Sequence, residues 1–102
     1  MNKLSSTQRN YLRSQAHHLE PVVLIGKNGV SIRTIESVNK ALEARELIKI
    51  KFRGFKDNKQ SISDEIAASA NCHVVGIVGH TVILFRQKSD PEKQNIHLPG
   101  IK

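Results

Sequence analysis

The sequence predicts a two-layer α/β fold in which three helices alternate with the strands of one four-stranded sheet. Three observations support this prediction. In the segment 47–53, the apolar residues 48, 50 and 52 alternate with the basic residues 49, 51 and 53, which is typical of a half-buried strand. Apolar residues recur at helical spacing on both sides of the apolar run 22–25. Two later apolar runs are separated only by Gly79-His80, which indicates a tight hairpin.

The first helix is predicted to begin after Ser5, because Ser5 and Gln8 have the spacing of a capping box. An apolar stripe of helical spacing follows, formed by Leu12, Ala16 and Leu19. Pro21 stops the helix, because the residue before a proline is disfavoured in helical geometry. Residues 22–25 then form a short strand.

A second helix is predicted from Ser31, its N-cap, to about residue 45. Its inward positions are Ile32, Ile35, Val38 and Leu42. The strand that follows places Ile48, Ile50 and Phe52 on one face and Lys49, Lys51 and Arg53 on the other.

The third helix is predicted to open at Ser61 or Ser63 and to end near Asn71, before strands at 73–78 and 81–86. A strand–helix–strand order favours parallel pairing by crossover, and the hairpin adds an antiparallel neighbour. We expect a mixed α-β-α-β-α-β-β sheet with helices mainly on one face, leaving the other free to present the basic row. Residues 1–88 are predicted to form this domain and residues 89–102 a polar C-terminal tail.

The composition favours a polyanionic partner. Sixteen Lys and Arg against nine Asp and Glu give a formal net charge of +7. A charge count alone does not separate RNA, DNA, an anionic membrane surface or an acidic protein. No apolar run approaches the ~18 residues of a membrane span, so no membrane partner is predicted. The single cysteine, Cys72, permits no internal disulfide, and a cytoplasmic location is the simplest interpretation.

The segment Gly26-Lys27-Asn28-Gly29 is the strongest candidate for a binding site. Two glycines three residues apart allow a tight turn and a close approach of the backbone to a ligand. The helix start that follows offers unpaired N–H groups to an anion. The alternative is an ordinary strand-to-helix turn, because a G-x-x-G tetrapeptide alone is a weak signal. The segment matches neither a P-loop nor a dinucleotide-binding fingerprint.

Two rows of basic residues strengthen this interpretation. One is the strand row Lys49, Lys51 and Arg53, and the other is the helical row Arg9, Arg13 and His17. Each row taken alone is also compatible with a solvated surface, since lysine commonly protects strands against edge pairing. Their occurrence together with the glycine turn is what indicates binding to phosphates.

Other chemistries find little support in the sequence. Neither His17-His18 nor Cys72-His73 has the paired spacing of a zinc site, so no metal or cofactor is predicted. No nucleophile elbow or apolar carboxylate pair indicates catalysis. Of the four aromatic residues, Phe52 and Phe85 occupy core positions, and Tyr11 and Phe55 are too few for a base-stacking platform. Binding is therefore predicted to involve mainly backbone phosphate and shape.

Several long motifs resemble the CRM domain (chloroplast RNA splicing and ribosome maturation). The motifs are Leu4-Ser5-Ser6 with Gln8-Arg9 and Leu12, residues 19–29, residues 41–50, residues 79–86, and Ile96-His97-Leu98-Pro99. A single domain of this length is similar to the bacterial YhbY-like branch of the family. At the hairpin, His80 stands where the family usually has Lys or Arg.

The resemblance implies a fold similar to the C-terminal domain of translation initiation factor three, and RNA binding on precursor 50S ribosomal subunits during assembly. The predicted RNA-binding residues are Gly26, Lys27, Asn28, Gly29, Arg9, Arg13, Arg33, Lys49, Lys51 and Arg53. A non-enzymatic RNA-binding protein is the leading hypothesis. The alternatives are a protein-interaction module that docks its basic face on an acidic or ribosomal protein, and a small enzyme acting on nucleotides or RNA ends.

Overall fold

A computed structural model describes residues 3–26, 29–53, 58–94, 96 and 98–99. The elements are helices α1 (Ser6–Ala16), α2 (Ile32–Arg45) and α3 (Lys59–Ala70), and strands β1 (Pro21–Ile25), β2 (Leu47–Phe52), β3 (His73–Val78) and β4 (Thr81–Phe85). A short 3-10 turn at Pro91–Lys93 follows the last strand. Their order along the chain is the predicted one.

The four strands form one mixed sheet in the order β1-β2-β4-β3. Strand β1 is parallel to β2, while β4 is antiparallel to both β2 and β3. The last strand therefore returns from its hairpin into the space between β2 and β3, which run in the same direction. Gly79 makes this tight return possible with a φ of +59°, in the left-handed region that favours glycine. The predicted α/β fold with a mixed four-stranded sheet is confirmed.

Helices α2 and α3 cover one face of the sheet and form the first core cluster with it. Val38 and Leu42 of α2 and Ile66 of α3 have no exposed surface. They pack against the apolar side chains on that face of the sheet, which are Val23, Ile25, Ile48, Ile50, Phe52, Val82 and Leu84. The predicted alternation of β2 is confirmed, because its isoleucines and phenylalanine all face these two helices.

The opposite face is only partly open, because α1 lies on it. Leu12 and Ala16 are fully buried in a second core cluster. The strand residues of this cluster are Leu47, Val75, Ile83 and Phe85. The expectation of an uncovered face therefore needs correction: only the part towards the β3–β4 turn is open, where Lys51 is exposed.

The segment after Lys88, predicted to be a polar tail, contributes apolar contacts to the domain. Ile96 and Leu98 pack against the second core cluster. The buried Glu46, which follows α2, accepts hydrogen bonds from the backbone N–H of Lys88 (2.6 Å, at Oε2) and of Ile96 (2.9 Å, at Oε1). The Gln8 side chain adds a bond to the Pro99 carbonyl (3.2 Å).

Two details of the helices differ from the prediction. Ile32, expected to face inward, is 79% exposed. At 3.6 residues per turn it lies about 80–120° around the helix axis from Val38 and Leu42, outside their buried stripe. Helix α3 begins at Lys59 rather than at a serine cap. Ser63 lies buried inside α3, and its hydroxyl donates to the Lys59 carbonyl one turn earlier (2.6 Å). A serine inside a helix commonly makes this bond to the carbonyl four residues before it, instead of capping the helix.

Helix α1 also ends earlier than its apolar stripe predicts. It stops at Ala16, and Leu19 lies beyond it, with its N–H bonded to the Ala16 carbonyl (3.0 Å). Leu19 nevertheless packs against the second core cluster. No helix among the described residues has both the length and the apolar content needed to cross a membrane.

Candidate nucleic-acid interface

The glycine segment closes a tight turn between β1 and α2. The Gly29 N–H donates to the Gly26 carbonyl (3.1 Å), and Gly29 has a φ of +74°. A Cβ atom built on either glycine would meet nothing within 4 Å, so the space in front of both is open. The predicted tight turn is therefore present, while Lys27 and Asn28 lie outside the described residues.

The end of β2 lies directly beside this turn. The Arg53 N–H donates to the carbonyl of Ile25, the residue that precedes Gly26 (2.9 Å). On the other side, the Phe52 N–H donates to the His80 carbonyl (2.8 Å), which places the β3–β4 turn at the same edge. We call this edge, with Gly26, Arg53 and His80, the loop end of the sheet.

The lysines of β2 point away from α2 and α3, onto the same face as α1. Lys51 lies between Leu24 of β1 and Thr81 of β4. Lys49, one pleat further from the loop end, lies opposite Ile83 and is half-buried. The two lysines therefore lead from the glycine turn towards α1.

Arg13 brings α1 into this surface. Its guanidinium lies over Gly76 of β3, where a Cβ atom would come within 2.8 Å of Nε. Gly76 pairs with Ile83, which in turn pairs with Lys49. Strand spacing places the backbones of Gly76 and Lys49 about 10 Å apart on one face. Four predicted cations, Arg13, Lys49, Lys51 and Arg53, thus form a basic sheet face that adjoins the glycine turn.

The other two predicted cations lie outside the basic sheet face. Burial is the main cause that lowers the pKa of the His73 imidazole, and the charge of Arg9 acts in the same direction, so Arg9 lies near His73. His73 begins β3 at the end opposite the β3–β4 turn. Arg33 is exposed in the first turn of α2, shortly after Gly29. That turn contains no acidic residue, and the Ser31 hydroxyl caps it by accepting from the Thr34 N–H (3.2 Å).

Three residues at the loop end were not predicted as part of the site. Lys59 extends its ammonium group to the Gly79 carbonyl (2.7 Å), so α3 also supplies a cation here. Leu24 and Val78 are exposed apolar residues of β1 and β3. The exposure of Leu24 and Val78 could not be predicted from local patterns, because both belong to runs of consecutive apolar residues.

The charge pattern of this surface suits a polyanion. None of the four strands contains Asp or Glu. Glu20 precedes β1 at the end of that strand opposite Gly26. A row of cations without interleaved carboxylates creates a positive field that attracts phosphates.

Metal binding and thiol chemistry have no visible basis in the described part of the chain. No cluster of three His, Cys, Asp or Glu side chains there could hold a metal ion. Cys72 is a free cysteine and is buried, as unpaired cysteines commonly are. Burial raises the pKa of its thiol to about 11, despite the opposing charge of Arg86, so the thiol stays protonated at neutral pH.

A cleft of about 750 Å³ opens at the other end of the sheet, away from the glycine turn. Its walls include Lys3, His73 and Arg86, together with the acids Glu43 and Asp90. Arg86 is held there by an ion pair with Glu43 (3.1 Å). The mixed charge of this cleft sets it apart from the basic sheet face.

The fold and the basic sheet face together define a class of protein, a small mixed α/β domain with a cationic surface beside a glycine turn. The chain belongs to the CRS1/YhbY (CRM) domain family, whose sequence profile matches residues 4–86. It is 36% identical over 100 residues to an RNA-binding protein of Haemophilus influenzae, covering 97% of this chain and 98% of that protein. It is 34% identical over 97 residues to the probable RNA-binding protein YqeI of Bacillus subtilis, covering 94% of this chain and 99% of YqeI.

The fold has a solved counterpart. The solution structure of SAV1595 from Staphylococcus aureus, a candidate RNA-binding protein, matches with a TM-score of 0.81 at 30% identity. The match covers 95% of this chain and 100% of that one. The resemblance to the CRM family drawn from the sequence is confirmed.

Proposed function

We propose that this protein binds RNA with its basic sheet face and glycine turn, and that it acts without catalysis on precursor large ribosomal subunits. The observation that carries the RNA interface is the hydrogen bond from the Arg53 N–H to the Ile25 carbonyl (2.9 Å). Through this bond the cations of β2 and the open backbone of the glycine turn lie side by side. RNA phosphates are the polyanion that this geometry suits, and RNA-binding relatives support that choice.

Backbone contact is expected to dominate the affinity. If roughly 4–6 phosphates are neutralised, the logarithm of the association constant should fall with the logarithm of salt concentration at a slope of about −3 to −5. We expect Lys51→Ala to weaken binding to RNAs of different sequence alike, and to reduce the slope by roughly one unit. Fluorescence anisotropy with labelled fragments of large-subunit ribosomal RNA measures both quantities.

Lys40→Ala is the matched control for the loss of one positive charge. Lys40 is exposed on α2, in the layer that covers the opposite face of the sheet. The proposal requires this control to keep the wild-type slope. Equal losses for Lys40→Ala and Lys51→Ala would mean that only net charge matters, and the interface would be rejected.

The assembly role is supported by the family resemblance and is tested separately. On a sucrose gradient of a cell lysate, the protein should sediment with precursor 50S particles and be released by nuclease. A partner that survives nuclease treatment would instead favour docking on a protein. Sedimentation only in the free fractions would remove the ribosomal role.

A further inference from the structure

The open part of the basic sheet face carries apolar side chains as well as cations. One row of residues in register crosses the whole sheet there, formed by Leu24, Lys51, Thr81 and Val78 on β1, β2, β4 and β3. Leu24 is 57% exposed and Val78 is 64% exposed. This row, which we call the open row, therefore has an exposed apolar residue on each outer strand.

The occupant of the open row must match both of its properties. Lys51 lies between the two apolar ends, and Arg53 follows it at the loop end. A ligand that fits must therefore combine negative charge with an apolar surface. No carboxylate lies on these strands to attract a basic partner.

Among RNA structures, unpaired nucleotides have this combination and a continuous duplex does not. In a duplex the base faces are stacked inside, so exposed leucine and valine side chains would meet phosphates, sugars and base edges but no base face. Unpaired bases present their faces to the protein, and apolar contact with a base face is favourable. Single-stranded RNA, unlike a duplex, can therefore contact both the exposed apolar side chains and the cations beside them.

We propose that the open row binds unpaired nucleotides of RNA, with bases packed on Leu24 and Val78 and phosphates held by Lys51 and Arg53. The row spans three strand spacings, about 14 Å. RNA-recognition motifs place two or three bases on a four-stranded sheet. This inference rests on the proposed RNA-binding function and deepens it by naming single-stranded segments as the preferred target.

Ile32 provides a matched control for Leu24 and Val78. It is also an exposed apolar residue, but it lies beside acidic residues. It lies in a shallow groove of α2 and α3 that also contains Glu36 and Glu65. These carboxylates repel phosphates, so RNA should avoid the groove. Threonine is a suitable replacement at all three positions, since it is β-branched and keeps the strand preference of Leu24 and Val78.

The experiment compares the wild-type protein with Leu24→Thr/Val78→Thr and with Ile32→Thr. Three probes of equal length are used: a single-stranded RNA, its duplex, and an abasic ribose-phosphate strand. We expect the double variant to lose roughly three- to tenfold in affinity for the single strand, from lost apolar contact. We expect no change on the duplex or the abasic strand, no change in the salt slope, and no effect of Ile32→Thr. Thermal melting confirms that each variant is folded.

The possible failures are distinguishable. Equal losses of the double variant on all three probes, or no loss on any, would overturn the open row while leaving phosphate binding by the cations intact. A loss caused by Ile32→Thr alone would also overturn it and would place the contact at the α2–α3 groove. If the wild-type protein binds none of the probes, the proposed function fails as well.

Discussion

The guanidinium of Arg13 lies over the backbone of Gly76, so that a Cβ atom at position 76 would come within 2.8 Å of Nε and 3.1 Å of Nη2. Gly76 lies where the pairing of β3 with β4 shifts register after Val74. The absence of a Cβ atom at Gly76 leaves room for the arginine side chain over the strand. Arg13 therefore belongs to the basic sheet face because of a residue more than sixty positions away in the chain.

Gly76→Ala should displace the Arg13 side chain with little effect on the stability of the fold. The clashing atoms belong to the far end of a flexible arginine, so we expect the free energy of unfolding to change by less than ~1 kcal/mol. RNA affinity should fall, but by no more than in Arg13→Ala. The double variant Arg13→Ala/Gly76→Ala should bind like Arg13→Ala alone, because both changes act through one contact. Additive losses in anisotropy titrations would show that the two residues act independently.

The two glycines of the turn should respond differently to substitution. Gly29 has a φ of +74°, so Gly29→Val introduces backbone strain of about 1–3 kcal/mol, measurable by urea unfolding. Gly26 has neither a positive φ nor a neighbour that a Cβ would touch, so Gly26→Ala should leave stability unchanged. If RNA approaches the turn closely, Gly26→Ala should still weaken binding. Wild-type affinity in Gly26→Ala would limit the role of this glycine to the turn.

Features set by local sequence were predictable, and features set by long-range packing were not. The alternation of β2 determines its two faces, and Gly79 marks the hairpin turn. The family motifs predicted the same fold, because the family profile covers nearly the whole domain. By contrast, the position of α1 on the second face depends on contacts of Leu12 and Ala16 with distant strands, which no local pattern reveals.

The residues of the candidate site also divide into those that local sequence predicts and those that depend on long-range packing. The cations of β2 could be placed on one face from periodicity alone. The exposure of Leu24 could not be predicted, because its apolar run shows no alternation. The contact of Arg13 with Gly76 requires the register of β3, which only the folded sheet defines. The position of Arg9 also depends on the folded sheet. Arg9 lies one helical turn before Arg13, nearer the end of the sheet that is opposite the β3–β4 turn.

Glu46 should be required for stability and not for RNA binding. Its buried carboxylate accepts from the backbone N–H groups of Lys88 and Ile96, and Glu46→Ala leaves both without this acceptor. A buried unsatisfied donor costs ~1–3 kcal/mol, so we expect a loss of roughly 2–5 kcal/mol in chemical unfolding. Amide exchange at Lys88 and Ile96 should accelerate.

Glu43→Ala is the control at an exposed carboxylate nearby, and should lower the free energy of unfolding by ~1 kcal/mol or less. Normal exchange protection at Ile96 in Glu46→Ala would contradict this role.

His73 should make the protein less stable in mild acid. Burial lowers the pKa of its imidazole below the ordinary value, and the positive charges of the amino terminus and Arg9 act in the same direction. The unfolded chain, in which histidine has a pKa of about 6.5, therefore binds this proton more readily than the folded protein. The stability contribution of the neutral His73 imidazole is complete above about pH 6.5 and is lost as the pH falls towards the lower folded pKa.

His73→Gln should accordingly lose less stability than the wild type between about pH 7.5 and pH 5 in urea titrations. His18→Gln, which removes an exposed histidine elsewhere, is the control. If His73→Gln loses as much stability over this interval as the wild-type protein, the partly buried imidazole of His73 is not responsible for the acid sensitivity.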